Sequence, residues 1–182
     1  SIMKNGVAHS AANVDKEFIG TDIQQLIKDE TGLPTIALND ADAAGIAEMK
    51  FGAGKDHMGS VIVLTLGTGI GSAMFRRGIL FPNSELGHIN LKDGTQTEHY
   101  ASSRVRDEEK LSWKKWGNLV NIVFQHIEFI FSPDLIIVGG GISKKYEKFF
   151  PYIDISAELF PAQLRNQAGI VGAALAAQEL LV

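Results

Sequence analysis

Two apolar runs, each ending in glycines, constrain the fold of this chain more than any other feature. Asp134-Leu135-Ile136-Ile137-Val138 is a continuous apolar stretch that passes straight into Gly139-Gly140-Gly141. Without polar alternation it has no face to show to water, so it predicts a strand buried on both sides. The second run, Val61 to Leu66, breaks into Gly67-Thr68-Gly69-Ile70-Gly71, and Ala73-Met74-Phe75 follows at once. Residues 59–81 therefore read as two strands joined by a glycine turn, with Arg76-Arg77-Gly78 as the next turn.

Helical signals surround these strands. Thr21-Asp22-Ile23-Gln24 fits a capping box, and Ile23, Leu26 and Ile27 follow at helical spacing until Gly32-Leu33-Pro34 stops the helix. Thr35 to Leu38 reads as a short buried strand that hands over, at Asn39-Asp40, to a helix of small residues through Met49. The longest helical signal runs from Leu111 to Phe131, with Ser112 as cap and Trp116, Leu119, Val120, Val123, Ile127 and Ile130 as its apolar face. Ser143 can cap a helix after the second glycine run, and Ala168 to Leu181 reads as an alanine-rich, largely buried helix. Strands alternating with helices, with a hairpin inserted, predict an α/β domain with a mixed sheet flanked by helices.

At 182 residues and 45% hydrophobic, the chain can bury one sizeable core. Its 17 basic and 21 acidic residues, net charge −4, argue against a general nucleic-acid binder. The absence of cysteine excludes disulfides and thiolate zinc sites, and fits a reducing compartment. No apolar run approaches the roughly 20 residues of a membrane helix. These features predict a soluble, cytoplasmic protein with no membrane partner. Ser1-Ile2-Met3-Lys4-Asn5-Gly6 reads as a turn entered mid-chain, as in a fragment.

Glycine lets backbone N–H groups approach an anion without a Cβ in the way. Gly67-Thr68-Gly69 can therefore hold a phosphate, or it can merely close a hairpin. Gly139-Gly140-Gly141 can approach a nucleotide, or simply connect strand to helix. The first turn is followed by a strand, which departs from the dinucleotide fingerprint, and it lacks a Walker lysine. Asp40, where a strand hands over to a helix, can take a proton from a substrate hydroxyl or cap the helix. Glu85-Leu86-Gly87-His88 and Glu98 add carboxylates and an imidazole suited to a polyhydroxy ligand. No metal-ligating set is read from the residues, and His99 reads as a surface residue. Lys144, Lys145 and Lys148 read as a solvated face that can also attract a polyanion, with Arg76, Arg77, Arg104 and Arg106 as further candidates for a basic track. Trp113 and Trp116 suit either a homodimer interface or the chain's own core.

In order, LNDADAAGIAEMKFGAG, VIVLTLGTGIGSAMF, ELGHI, TEHYAS and SPDLIIVGGGIS resemble the sugar kinases of the repressor, ORF and kinase (ROK) family. AANVDKEFIGTD, PNSELGHI, EHYASSRVRDEEKLSWKKW and SPDLIIVGGGISKK bring the chain nearer to the family's polyphosphate-using branch. The resemblance implies an actin-like, ribonuclease-H-like ATPase fold in two lobes with the sugar between them. Residues 1–38 would be the remainder of an incomplete N-terminal lobe, and residues 39–182 the C-terminal lobe.

The resemblance implies Asp40 as catalytic base, Asn39, Glu85, His88 and Glu98 as sugar ligands, and Gly67, Thr68 and Gly69 as a phosphate loop. Gly139, Gly140 and Gly141 would lie near the nucleotide. The implied reaction moves a phosphoryl group from polyphosphate, or also ATP, to the 6-hydroxyl of glucose with Mg2+. The alternatives are an ATP-dependent hexose kinase of the same family and a non-catalytic sugar-sensing regulator. Asp93-Gly94-Thr95-Gln96-Thr97 stands where many family members carry a zinc motif, so no structural zinc is expected. The family's first phosphate loop, Asp-x-Gly-Gly-Thr or similar, is not found before Asn13: either the first strands of the N-terminal lobe are lost or supplied by another chain, or the chain is not an active kinase by itself.

Overall fold

The computed structural model describes residues 2–10, 15–178 and 180. Residues 11–14, within AANVDKEFIGTD, and Leu181, at the expected end of the last helix, lie outside the described residues. The chain opens with a two-stranded ribbon, β1 (Met3–Lys4) and β2 (Val7–Ala8), paired through Lys4 and Val7. Asn5 (φ 51°) and Gly6 (φ 81°) form its two-residue turn, where positive φ at both positions matches strand twist. Helix α1 (Ile23–Thr31) follows and ends at Gly32 in a left-handed cap. Its N-cap is Asp22 rather than Thr21: the Asp22 carboxylate accepts from the Gln25 N–H at 2.8 Å.

Residues 35–38 are not a strand. They are half-buried, and none of the described strands pairs with them, so the apolar run has no ladder to join. Helix α2 (Asp40–Phe51) starts immediately afterwards.

The main sheet holds β3 (Ser60–Leu66), β4 (Ile70–Arg76), β5 (Ile79–Phe81), β6 (Leu135–Gly139) and β7 (Glu158–Pro161), in the order β5-β4-β3-β6-β7. The hairpin strands pair antiparallel, whereas β3–β6 and β6–β7 are parallel, which gives the expected mixed sheet. Arg77 (φ 53°) and Gly78 (φ 74°) turn β4 into β5.

Central strands β3 and β6 alternate between two buried layers. Ile62, Leu64, Ile136 and Val138 face α5 (Trp113–Phe131) through Trp116, Val120, Val123, Phe124 and Ile127. Val61, Val63, Leu135 and Ile137 face α2 through Ile46 and Met49. Each such side chain removed from water stabilises the fold by about 1.5–3 kcal/mol. The α5 face differs slightly from the expected one: Phe124 is buried, while Ile130 is 48% exposed. Ser112 caps α5 as expected, accepting from the Lys115 N–H at 3.2 Å.

The last helix, α6 (Ala168–Gln178), lies against α2. A Cβ at Gly172 would strike the Ala43 backbone, so the two helices meet at glycine-allowed distance. Only the Ala168, Gly172 and Ala176 stripe is buried and Ile170 is 77% exposed, so α6 is less buried than its composition suggests. Among the described residues no helix is long and apolar enough to cross a membrane.

Candidate active site

Parallel pairing of β3 with β6 brings the two glycine turns together. Thr65 registers against Gly139 and a Cβ on Gly140 would strike Leu66, so the turns holding Gly67 and Gly141 both leave the carboxyl ends of adjacent strands, where open α/β sheets bind ligands. The glycines differ in why they are glycine. Gly140 (φ 83°) needs a left-handed backbone, and a Cβ there would strike the Leu66 backbone. A Cβ on Gly69 would meet the Glu98 carboxylate, and one on Gly71 the Thr65 hydroxyl and Ala41. Gly67 and Gly141 have neither left-handed φ nor any atom within 4 Å of a Cβ. No side-chain clash asks for glycine at these two positions; Gly141 is exposed, and Gly67 is half-buried with its N–H donating to the Gly69 carbonyl at 3.0 Å.

The carboxylate side of the site is built from three elements. Asn39 caps α2, its buried Oδ1 accepting from the N–H groups of Ala41 (2.7 Å) and Asp42 (3.2 Å). Asp40 is therefore the first helical residue, not the cap, and its carboxylate is exposed at the mouth of the site. Glu85 precedes the 3-10 turn Leu86–His88, and Glu98 lies on α3 (Thr97–Ala101). His88 bridges the two carboxylates: Nδ1 lies 3.5 Å from Glu85 Oε2, and Nε2 lies 3.6 Å from Glu98 Oε1. Glu98 also holds the glycine turn, accepting from the Ile70 N–H at 3.4 Å. His99 is mostly exposed, with Nε2 3.6 Å from Glu98 Oε1.

Buried polar residues that the sequence reading passed over fix these groups. The Ser72 hydroxyl accepts from the Leu86 N–H (3.0 Å), and the Thr97 hydroxyl donates to the Leu86 carbonyl (2.6 Å). Asp42, 2% exposed, accepts from the Asn83 N–H at 2.9 Å and so ties α2 to the segment carrying Glu85. Its pKa is pushed up to about 6 by burial, with the Glu85 and Asp40 charges adding and the Asn83 hydrogen bond opposing. Its place two residues after Asp40 was the only sequence signal for Asp42.

The structure divides the candidate basic track. Arg76 and Arg77 lie at the opposite end of the sheet, where Arg76 is 3.5 Å from Asp134. Ser143 does not cap an α-helix. It is buried within a 3-10 stretch (Gly141–Lys148), its hydroxyl donating to the Gly140 carbonyl at 2.8 Å, because Gly140 makes the turn instead. Lys144, Lys145 and Lys148 are exposed on this stretch. Helix α4 (Ser103–Glu108), which carries Arg104 and Arg106, is latched to the first glycine turn: the Ser103 hydroxyl and the Arg104 N–H both donate to the Gly67 carbonyl, at 2.8 and 3.2 Å. Trp116 is fully buried, its indole N–H donating to the Ala101 and Ser102 carbonyls, so the core reading holds for it. The loop at Asp93-Gly94-Thr95 closes on itself, the Thr95 N–H reaching Asp93 at 2.9 Å.

The glycine turns at the parallel strand ends and the carboxylate and histidine cluster lie on an actin-like fold. The chain belongs to the ROK family, whose model matches residues 1–102. It is 46% identical over 176 residues to polyphosphate glucokinase of Mycobacterium tuberculosis, a match covering 96% of this chain and 66% of that protein. It is 29% identical to glucokinase of Streptomyces coelicolor over 86% of this chain and 71% of that protein. Among solved structures, the inorganic polyphosphate/ATP-glucomannokinase of Arthrobacter sp. strain KM superposes with a TM-score of 0.94 at 49% identity, covering 98% of this chain and 70% of that one. The ROK glucokinase of Streptomyces griseus, solved with glucose and AMPPNP, shares the fold at a TM-score of 0.81 and 23% identity, over 97% of this chain and 78% of that one. The chain thus spans 66% of the length of its M. tuberculosis relative.

Proposed function

We propose that the whole protein transfers a phosphoryl group from inorganic polyphosphate, with ATP as a second donor, to the 6-hydroxyl of glucose. The polyphosphate relatives support this reading. The observation that carries it is the pair Gly67 and Gly141: two glycines with no atom within 4 Å of a Cβ, in the turns that leave the ends of adjacent parallel strands. In this reading the missing Cβ atoms let a phosphate approach the backbone of both turns closely.

In this reading Asp40 takes the proton from the glucose O6 as O6 attacks the terminal phosphorus. The bridging P–O bond breaks, and the polyphosphate leaves one unit shorter. Phosphoryl transfer depends on positioning and charge stabilisation, and an oriented base typically adds about 10²- to 10⁴-fold. Asn39, Glu85, His88 and Glu98 hold the sugar hydroxyls, His88 being oriented by the two carboxylates beside it. Gly67, Thr68, Gly69 and Gly139 to Gly141 surround the donor.

Among the described residues no three His, Asp or Glu side chains form a metal cage. Mg2+ stays largely on phosphates and water and uses one or two protein oxygens. The oxygens this chain offers are the Asp40 carboxylate and the exposed Thr68 hydroxyl. The ion would neutralise charge on the transferring group. A cytoplasmic location and the division into lobes at residue 39 belong to the same proposal.

The test follows glucose 6-phosphate formation by the full-length natural protein with glucose and Mg2+, comparing polyphosphate with ATP. Faster turnover with polyphosphate is the expected result. Turnover with ATP alone would make the protein an ATP-dependent hexose kinase, and no product with either donor would leave a sugar-binding regulator.

A further inference from the structure

Three cations converge on one indole beside the glycine turns. The Arg106 guanidinium carbon lies 3.8 Å from the centroid of the Trp113 ring, Lys148 Nζ at 5.5 Å and Lys145 Nζ at 5.8 Å. Trp113 is held in turn by Phe149, stacked at 6.4 Å with 16° between the planes. A ring quadrupole offsets part of a cation's charge, yet three like charges around one ring still repel one another. Arg106 has one carboxylate partner, Asp107 at 2.7 Å, and among the described residues neither lysine forms an ion pair. Arg106 Nε is also buried without a hydrogen-bond partner. An arrangement of this kind is completed by an anion.

Its position says which anion. Arg106 sits on α4, which is latched to the Gly67 carbonyl through Ser103 and Arg104. Lys145 and Lys148 sit on the stretch that begins at Gly141. Both carriers leave the two glycine turns and meet again at Trp113, so the cations continue the donor site outward. A phosphate chain that runs on past the glycine turns is the anion these two carriers fit.

We propose that Arg106, Lys145 and Lys148, gathered around Trp113, form a track for the non-reacting tail of a polyphosphate donor. This rests on the polyphosphate reading above and adds the residues that favour a long donor over a short one. Binding energy from that remote tail is available to hold the reacting end in place.

The experiment uses the full-length protein with Lys145→Gln/Lys148→Gln and, separately, Arg106→Gln, assayed with polyphosphates of increasing chain length and with ATP. Each variant is expected to lose at least tenfold in the ratio of polyphosphate-dependent to ATP-dependent kcat/KM, and the preference for longer chains should flatten. Binding of long-chain polyphosphate by calorimetry should weaken by a similar factor. An unchanged ratio and unchanged binding would overturn the track, and so would equal losses with both donors. If the wild-type protein binds polyphosphate through these residues without transferring from it, the donor reading falls while the track stands.

Discussion

The two ends of the same pair of parallel strands are built differently. At their start, β3 and β6 close on themselves: Asp134 accepts from the Ser60 N–H (2.6 Å) and hydroxyl (2.8 Å), and the Asp134 N–H donates to the Ser60 carbonyl (2.9 Å). These hydrogen bonds hold the Asp134 carboxyl below the usual carboxylate range, with Arg76 and His57 assisting. At their finish, the same strands run into Gly67 and Gly141, where a Cβ would meet nothing within 4 Å, and Asp40 is exposed and His88 part-exposed nearby in the chain's polar cluster. Satisfied groups at one end stabilise the sheet, and groups left open at the other can bind.

The contrast can be broken most strongly at Asp40. Asp40→Asn should lower kcat by about 10²- to 10⁴-fold with the glucose KM within about tenfold, measured by glucose 6-phosphate release. Gly140→Ala comes next, because left-handed φ and the Leu66 backbone both oppose a Cβ. It should cost at least about 2 kcal/mol, read as a lower denaturant midpoint.

Asp42→Asn should act through pH. The folded-state pKa of Asp42 is raised from 3.8 to about 6, so the folded chain binds more protons than the unfolded one between those values. Stability from this group is therefore present below pH 3.8 and lost as pH rises through about 6. Asn keeps an acceptor for the Asn83 N–H without the charge, so the variant should gain about 1–3 kcal/mol above that pH and nothing at low pH. Thermal unfolding across pH 4 to 8 checks it. Asp134→Asn gives the smallest effect: a slight fall in Tm at neutral pH that disappears in acid, where the lowered pKa no longer favours the wild type. Its turnover should be unchanged, which sharpens the division between the two ends.

The central strands were legible because continuous apolar runs have no other stable place than a covered sheet, and the glycines marked where those strands stop. Glu85, His88 and Glu98 were singled out by residue type and by the resemblance, but their meeting was not legible, since they come together only once the 3-10 turn and α3 are folded. Asp42, Ser72 and Thr97 were missed because a polar residue among small or apolar neighbours carries no sign of its burial. The misplaced strand at residues 35–38 shows the converse: an apolar run predicts a strand only when a partner lies beside it. Charge patterning could not separate Arg76 and Arg77 from Arg106, because a hairpin reverses direction between them.

The most direct test of the open glycine end measures Tm and donor KM together for Gly67→Ala and Gly141→Ala in the full-length protein. With nothing for either Cβ to strike, the account predicts Tm within about 2 °C of wild type and donor KM raised about tenfold, equal to a loss of about 1.4 kcal/mol. A marked fall in Tm with an unchanged donor KM would contradict it, because the glycines would then serve the fold and not the donor.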